Sequence, residues 1–248
     1  MNQFTAAPIS RPAALITGAS RGIGRATAER FAAAGYHLIL TCISSIKTLR
    51  EYAARLEQAY GIRCAAVQAD MGNYEEVRKV FGQITELDVV VNNAGVSYVG
   101  LLSEMETADW QRLMRTNLDS CFYTCKLAVP LLLRKHCGKI INISSVWGSV
   151  GASMEVAYSA SKGAVNAFTK ALAKELAPSN IQVNALAFGM IDTRMNESFT
   201  PEELAAITAG IPADRPGSAE EAAQLILLTA QAPPYLTGQV ITMDGGWT

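Results

Sequence analysis

The sequence predicts a single doubly wound α/β domain, with a seven-stranded parallel sheet flanked by helices on both faces. Three observations carry that prediction. Short apolar runs alternate with helical patterns from one end of the chain to the other, and parallel strands buried on both faces read as such runs. The 248 residues, half of them apolar and 17% charged, suffice for one large core. No linker, repeat or low-complexity segment marks a second domain, so residues 1–248 read as one unit, with residues 1–11 as an N-terminal extension.

Each element follows from its pattern. AALIT (Ala13–Thr17) is a short apolar strand stopped by Gly18, and a helical pattern runs from Gly22 to Ala34. HLILTC (His37–Cys42) forms the second strand, followed by a helix ending near Tyr60. CAAVQA (Cys64–Ala69), a helix from about Tyr74 to Thr85, and DVVVNN (Asp88–Asn93) continue the rhythm. A long helix from Trp110 to about Lys135 leads into KIINIS (Lys139–Ser144), and another from about Glu155 to Ala177 leads into IQVNALA (Ile181–Ala187). The helix Ala219–Ala230 and the strand QVITMD (Gln239–Asp244) close the series. Strands separated by helices call for right-handed crossovers and a parallel sheet.

Composition excludes several classes. A net charge of −1 gives no electrostatic reason to expect nucleic acid or an anionic membrane surface. No apolar run approaches the roughly 20 residues that span a bilayer, and the start, MNQFTAAPISRPAALITG, does not read as a signal peptide. Five cysteines (Cys42, Cys64, Cys121, Cys125, Cys137) show no C-x-x-C pair, and His37 and His136 sit in unrelated segments. Reduced, buried thiols in a cytoplasmic protein without a metal site are the expectation.

The first strand ends in TGASRGIG (Thr17–Gly24), with glycines at 18, 22 and 24, and opens directly into a helix. Such a turn lets backbone approach a pyrophosphate while the helix N-terminus offers unpaired N–H donors. Its position between strand and helix points to a dinucleotide, with Ser20 and Ile23 beside the glycines. No Asp or Glu lies between Glu29 and Glu51, where an NAD site places its ribose-binding acid. The second strand runs instead into Ile43, Ser44 and Ser45, and Arg21 can pair with a 2′-phosphate, so NADP(H) is the expected cofactor. Asp70, followed by Met71, is either the acceptor for the adenine amino group or a helix N-cap.

The downstream motifs are NNAG (Asn92–Gly95), Asn117, Ser145 and Tyr158-x-x-x-Lys162. With the glycine turn, in this order and spacing, the chain from Pro12 onward resembles the short-chain dehydrogenase/reductase family. The resemblance implies a Rossmann sheet, usually in a homotetramer, that moves hydride between a nicotinamide and a carbonyl or alcohol. It implies cofactor contacts from Asn93, Ala94 and Gly95, from Gly189 and, toward the carboxamide, from Ile191 and Thr193. It implies that Asn117 anchors a water linking Lys162 to solvent. The chemistry needs these residue types. Tyrosine is a weak acid near pH 7 unless its pKa is brought down, and Lys162, one helical turn away, can stabilise the phenolate and bond the nicotinamide ribose. Ser145 can hold the substrate oxygen beside Tyr158. Such a complete set argues against a regulator or scaffold that binds nucleotide without turnover. One departure is Phe188-Gly189, where the family commonly reads proline-glycine; that change removes a fixed φ and adds a backbone donor. It bears on the loop and on the substrate lid beyond it, residues 194–210.

Two substrates suit the resemblance. The R-G-I-G turn and the last strand are similar to β-ketoacyl-acyl-carrier-protein reductases. In those enzymes basic residues beside the site mouth meet the acidic carrier. The corresponding positions here are His136 and Ser179, with Lys135, Lys139 and Lys174 nearby. SSVWGSVGASMEVAYS with KELAPSNIQVNA is similar to elongation factor P aminopentanone reductases, whose ketone ends in an amine. There Glu155 would pair with the ammonium and Trp147 would pack on the linker or the cation. The alternative for Glu155 is a carboxylate serving the helix N-terminus.

Overall fold

The computed structural model describes residues 11–197 and 199–248, so residues 1–10 of the expected extension lie outside the described residues. In chain order the elements are β1 (Ala13–Ile16), α1 (Gly22–Ala33), β2 (His37–Cys42), α2 (Ile46–Tyr60), β3 (Cys64–Gln68), α3 (Tyr74–Phe81) and β4 (Val89–Asn92). They continue with α4 (Thr107–Met114), α5 (Ser120–Lys135), β5 (Gly138–Ser145), α6 (Trp147–Val150), α7 (Val156–Leu176), β6 (Ile181–Phe188), α8 (Pro201–Ala209), α9 (Ala219–Gln231) and β7 (Val240–Met243).

The strands form one sheet in the order β3-β2-β1-β4-β5-β6-β7. Every pairing is parallel. Strand β1 is the point of reversal: Ala14 pairs with Leu38 of β2 on one edge and with Val89 of β4 on the other. A crevice opens beyond the carboxyl ends of strands where the winding reverses, and ligands of doubly wound sheets bind there.

Side-chain alternation divides the core in two. Leu15, Val90, Ile140 and Val183 join Val77, Leu132 and Leu176 on one face. Ile16, Val91, Ile141 and Leu186 join Phe31, Leu56 and Ile226 on the other. Burying apolar area on both faces contributes about 25 cal/mol per Å², which explains the near-continuous apolar strands.

The structure corrects several boundaries. Helix α3 stops at Phe81 rather than Thr85, because the chain turns at Gly82, whose N–H bonds Arg78 O. The long helix starts at Thr107 and contains one π turn, Arg115–Asp119, between α4 and α5. Strand β6 runs one residue further than expected, through Phe188, which pairs with Ser145 and Met243. Cys137 is exposed, contrary to the expectation of five buried thiols. No helix of the described residues is long and apolar enough to cross a membrane.

Candidate active site

The glycine turn is shaped by what it touches. Gly18 sits at φ +65°, and a Cβ there would lie 3.0 Å from Ala94 Cα. Asn93 holds this turn from β4: its Nδ2 donates to Thr17 O at 2.8 Å and to Gly18 O at 3.1 Å. In return Thr17 Oγ1 accepts from the N–H groups of Asn93 and Ala94. Gly24 is buried below the turn, where a Cβ would come within 2.5 Å of Asn93 Nδ2 and Gly18 O. Its role is close packing of α1 against the strand ends, and it does not line the cleft. Helix α1 has no acidic residue in its first turn, so its N-terminus presents an uncompensated positive dipole end.

A cleft of about 1470 Å³ begins at this turn and runs along the carboxyl ends of the strands. Gly18, Ser20, Arg21, Gly22 and Ile23 border it at one end, and Asp70, Met71, Asn93, Ala94 and Gly95 border its floor. Ser44 is exposed just outside; Ile43 takes the lining position instead. Asp70 is not the helix cap, because Asn73 caps α3 by accepting from Glu75 and Glu76 N–H. The Asp70 carboxylate accepts from Gly72 N–H at 2.9 Å while bordering the cleft. The volume exceeds the roughly 300–1,000 Å³ of a drug-sized site and has room for a dinucleotide with a second molecule. The glycine cradle and the helix N-terminus fit such a cofactor.

Ser145 ends β5, and Tyr158 and Lys162 lie one turn apart near the start of α7. Ser144 Oγ fixes α7 to β5 by donating to Asn166 Oδ1 at 2.6 Å. The Lys162 Nζ is buried, donates to Ile143 O at 2.8 Å and lies 5.6 Å from the centroid of the Tyr158 ring. Burial pulls the Lys162 ammonium down to about 8, with Cys121 acting in the opposite direction. The Tyr158 phenol is pushed up to about 12, by burial first and by the Glu155 carboxylate second, against a hydrogen bond with Ser145 that lowers it. The protein's own groups thus favour the protonated phenol, the reverse of the lowering expected from Lys162.

Asn117 lies behind the cleft wall in the π turn. Its Oδ1 accepts from Val96 N–H at 2.8 Å, and its Nδ2 donates to Val96 O at 2.9 Å and Ser161 Oγ at 3.0 Å. With its side chain so committed, Asn117 ties the loop after β4 to α7. A wide turn is a recurrent feature at functional positions of helices. Here it turns Asn117 inward.

At the far end Trp147 and Glu155 meet. Glu155 is the N-cap residue of α7 and makes no side-chain cap hydrogen bond, so its service to that terminus is by charge alone. Burial raises the pKa of its carboxylate, with the neighbouring Trp147 side chain acting in the opposite direction. Trp247, which sequence reasoning missed, stacks edge-on against Trp147 with ring centroids 4.8 Å apart. The signal for it was the DGG turn before it. Asp244 accepts from Gly246 N–H and from Thr248 N–H and Oγ1, curling the tail back over the cleft.

The loop after β6 is ordered without proline. Phe188 is 3% exposed, its carbonyl accepts from Val146 N–H, and Gly189 N–H donates to Met243 O. Gly189, Ile191 and Thr193 all border the cleft. In the lid, Thr200 and Glu203 form a reciprocal capping box for α8, and Glu203, Ala206 and Ile207 face the cleft. The carrier-binding positions correct an expectation. His136, Lys135, Lys139, Lys174 and Ser179 cluster around the starts of β5 and β6 and the far end of α7, remote from the cleft at the strand carboxyl ends. The bases that border the cleft are Arg21, Arg112, Arg115, Lys162 and Arg194. Among the described residues no three His, Cys, Asp or Glu side chains gather as a metal site.

Comparison with known proteins agrees with this geometry. The family model described as short chain dehydrogenase matches residues 12–204. The chain is 39% identical over 236 residues to the uncharacterised oxidoreductase YmfI of Bacillus subtilis, covering 94% of this chain and 98% of that protein. It is 41% identical over 239 residues to a 3-oxoacyl-[acyl-carrier-protein] reductase of Synechocystis, covering 94% and 95%. A crystal structure from Agrobacterium tumefaciens, provisionally described as a gluconate dehydrogenase, superposes with a TM-score of 0.90 at 33% identity, covering 96% of each chain. The chain therefore belongs to the short-chain dehydrogenase family, as an oxidoreductase of CH–OH and C=O groups similar to 3-oxoacyl-[acyl-carrier-protein] reductases.

Proposed function

We propose that the protein is an NADPH-dependent reductase that converts a ketone to an alcohol. The observation that carries this reading is the convergence of Ser145, Tyr158 and Lys162 on one wall of a cleft that starts at a phosphate-binding turn. A bound dihydronicotinamide would supply hydride to the carbonyl carbon. Ser145 holds the carbonyl oxygen next to the Tyr158 hydroxyl, and Tyr158, protonated over the whole physiological range, gives that oxygen its proton. Lys162, cationic below about pH 8, stabilises the phenolate left behind and orients the cofactor's ribose. Asn117 keeps the loop after β4 in register with α7.

Preference for the 2′-phosphorylated cofactor rests on Arg21 at the cleft edge and on the absence of any acid between Glu29 and Glu51. For the ketone we favour the amine-bearing group on elongation factor P, supported by Glu155 and Trp147 meeting inside the cleft. Acyl-carrier-protein thioesters are the second reading, favoured by relatives of that name. Assembly as a homotetramer in the cytoplasm completes the reading. The test is an NADPH oxidation screen with small ketones, ketoacyl thioesters and the modified translation factor side by side. Oxidation of NADPH with at least one ketone is expected; none with any of them would overturn the reductase.

A further inference from the structure

The substrate end of the cleft is bordered by a segment outside the catalytic elements, residues 244–248 beyond β7. Its path is held by its neighbours. Asp244 packs against the loop after β6, where a Cβ on Gly189 would lie 2.7 Å from Asp244 Cβ. Gly245 and Gly246 follow at φ +69° and +85°, left-handed values that reverse the chain and favour glycine. Gly245 O accepts from Ala213 N–H at 3.1 Å, which ties the turn to the chain just beyond α8. The Asp244 carboxylate then gathers Gly246 N–H at 3.0 Å and Thr248 N–H at 2.8 Å, so the backbone is held on both sides of Trp247. The Trp247 indole stands between two walls of the cleft. On one side it meets the Trp147 ring edge-on, with centroids 4.8 Å apart. On the other its Nε1 lies 3.5 Å from the place a Cβ would take on Gly210, the residue that follows α8. Trp147 is itself tied to the reacting centre, because its N–H donates to Ser145 Oγ at 3.2 Å.

Building on the reductase reading, we propose that Trp247 is a specificity-determining residue that caps the cleft and sets the largest group a ketone can place beyond its carbonyl. The contacts that run from Ser145 through Trp147 to Trp247 give this wall a fixed separation from the carbonyl oxygen. The wall therefore measures a substrate from its reacting centre. An indole held between α6 and the end of α8 cannot retreat unless the lid lifts or the turn at residues 244–248 opens. A ketone that reaches too far meets the ring before its oxygen meets Ser145, and it loses alignment as well as affinity. Phe199, Ala206 and Ile207 border the same part of the cleft, so the selection is made by apolar surfaces. It is a selection by size, independent of any charge on the substrate.

The experiment uses methyl ketones whose second substituent grows from ethyl through cyclohexyl to adamantyl, with NADPH and the full chain. In the wild type kcat/KM should fall as the substituent outgrows the capped cleft. Trp247→Ala replaces an indole by a methyl group and should raise the ratio of kcat/KM for bulky over small ketones by about tenfold or more, since a single methylene against an apolar wall discriminates by about 10–200-fold. Trp247→Phe keeps part of the wall and should move the ratio by an intermediate amount, which keeps the test decisive where the alanine variant folds poorly. Asp244→Ala frees the turn without altering the ring, and it should move the ratio in the same direction. A purely structural role would slow every ketone by the same factor and leave the ratio in place. A wild type indifferent to substituent size, or an unchanged ratio in both Trp247 variants, would overturn the cap and leave the reductase standing. Failure of the wild type to reduce any ketone would overturn both.

Discussion

Tyr158 has two neighbours that pull its proton in opposite directions, Ser145 releasing it and Glu155 retaining it. Removing the hydroxyl tests its role directly: Tyr158→Phe should lower kcat by about 10²–10⁴-fold while NADPH still quenches the intrinsic tryptophan fluorescence of the protein. Unchanged turnover would exclude Tyr158 as the acid. Lys162 sets the pH range. Burial lowers its pKa from the usual lysine value to about 8, so its cationic form dominates below pH 8 and is lost as pH rises through that value. The kcat/KM for reduction should therefore fall above about pH 8, roughly tenfold per unit once deprotonation is complete; a flat profile to pH 10 would sink the assignment. At this scale the sequence was informative about identity and silent about environment. Tyr158 and Lys162 are legible as a helical pair at i,i+4, whereas the bond from Lys162 to Ile143 O depends on β5, which is distant in sequence. The pairing of Trp247 with Trp147 was illegible because the two lie 100 positions apart and only the curled tail unites them.

The elements were readable where hydrophobic period dominates and blurred where a single side chain or glycine decides. Strand β6 ends at Phe188 because its buried ring and the pairings to β5 and β7 carry the strand through that position. The π turn could not be read from periodicity, since it shifts the phase of the apolar stripe only once and no residue type marks the place. Its purpose shows in Asn117, whose three side-chain hydrogen bonds join two elements. Asn117→Ala leaves the half-buried Val96 N–H and C=O without their partners, which costs up to about 1–3 kcal/mol per group. A lower Tm together with a fall in kcat is the expected result, and Asn117→Ser should recover less than half of either. The tight contact of α1 is testable separately. Gly24→Ala drives a Cβ to 2.5 Å from Asn93 Nδ2 and Gly18 O, which should cost about 1–3 kcal/mol by overpacking and weaken cofactor binding; thermal melts with and without NADPH would measure both.

Over the whole molecule, the order β3-β2-β1-β4-β5-β6-β7 puts the glycine turn, the Tyr158–Lys162 face of α7 and α8 on one rim of the sheet. The fold class was evident from alternation alone, but which rim carries each basic residue needed the topology. Lys139 is the second residue of β5 and so lies at the far end, where its Nζ donates to Ala232 O. A cofactor bridging that rim should act as a brace. At about 100-fold above its Kd, NADPH should stabilise the fold by about 2.7 kcal/mol, and NADH at the same concentration by clearly less. A larger shift with NADH would refute the role given to Arg21. The clasp of Asn93 on Thr17 and Gly18 joins residues 76 and 75 positions apart. The glycine turn therefore has its working shape only after β4 has threaded in beside β1, a long-range contact of the kind that slows folding. A nascent chain ending before β4 would carry every glycine of the motif and still present nothing that a dinucleotide could grip, so affinity for the coenzyme is a late acquisition on the folding path.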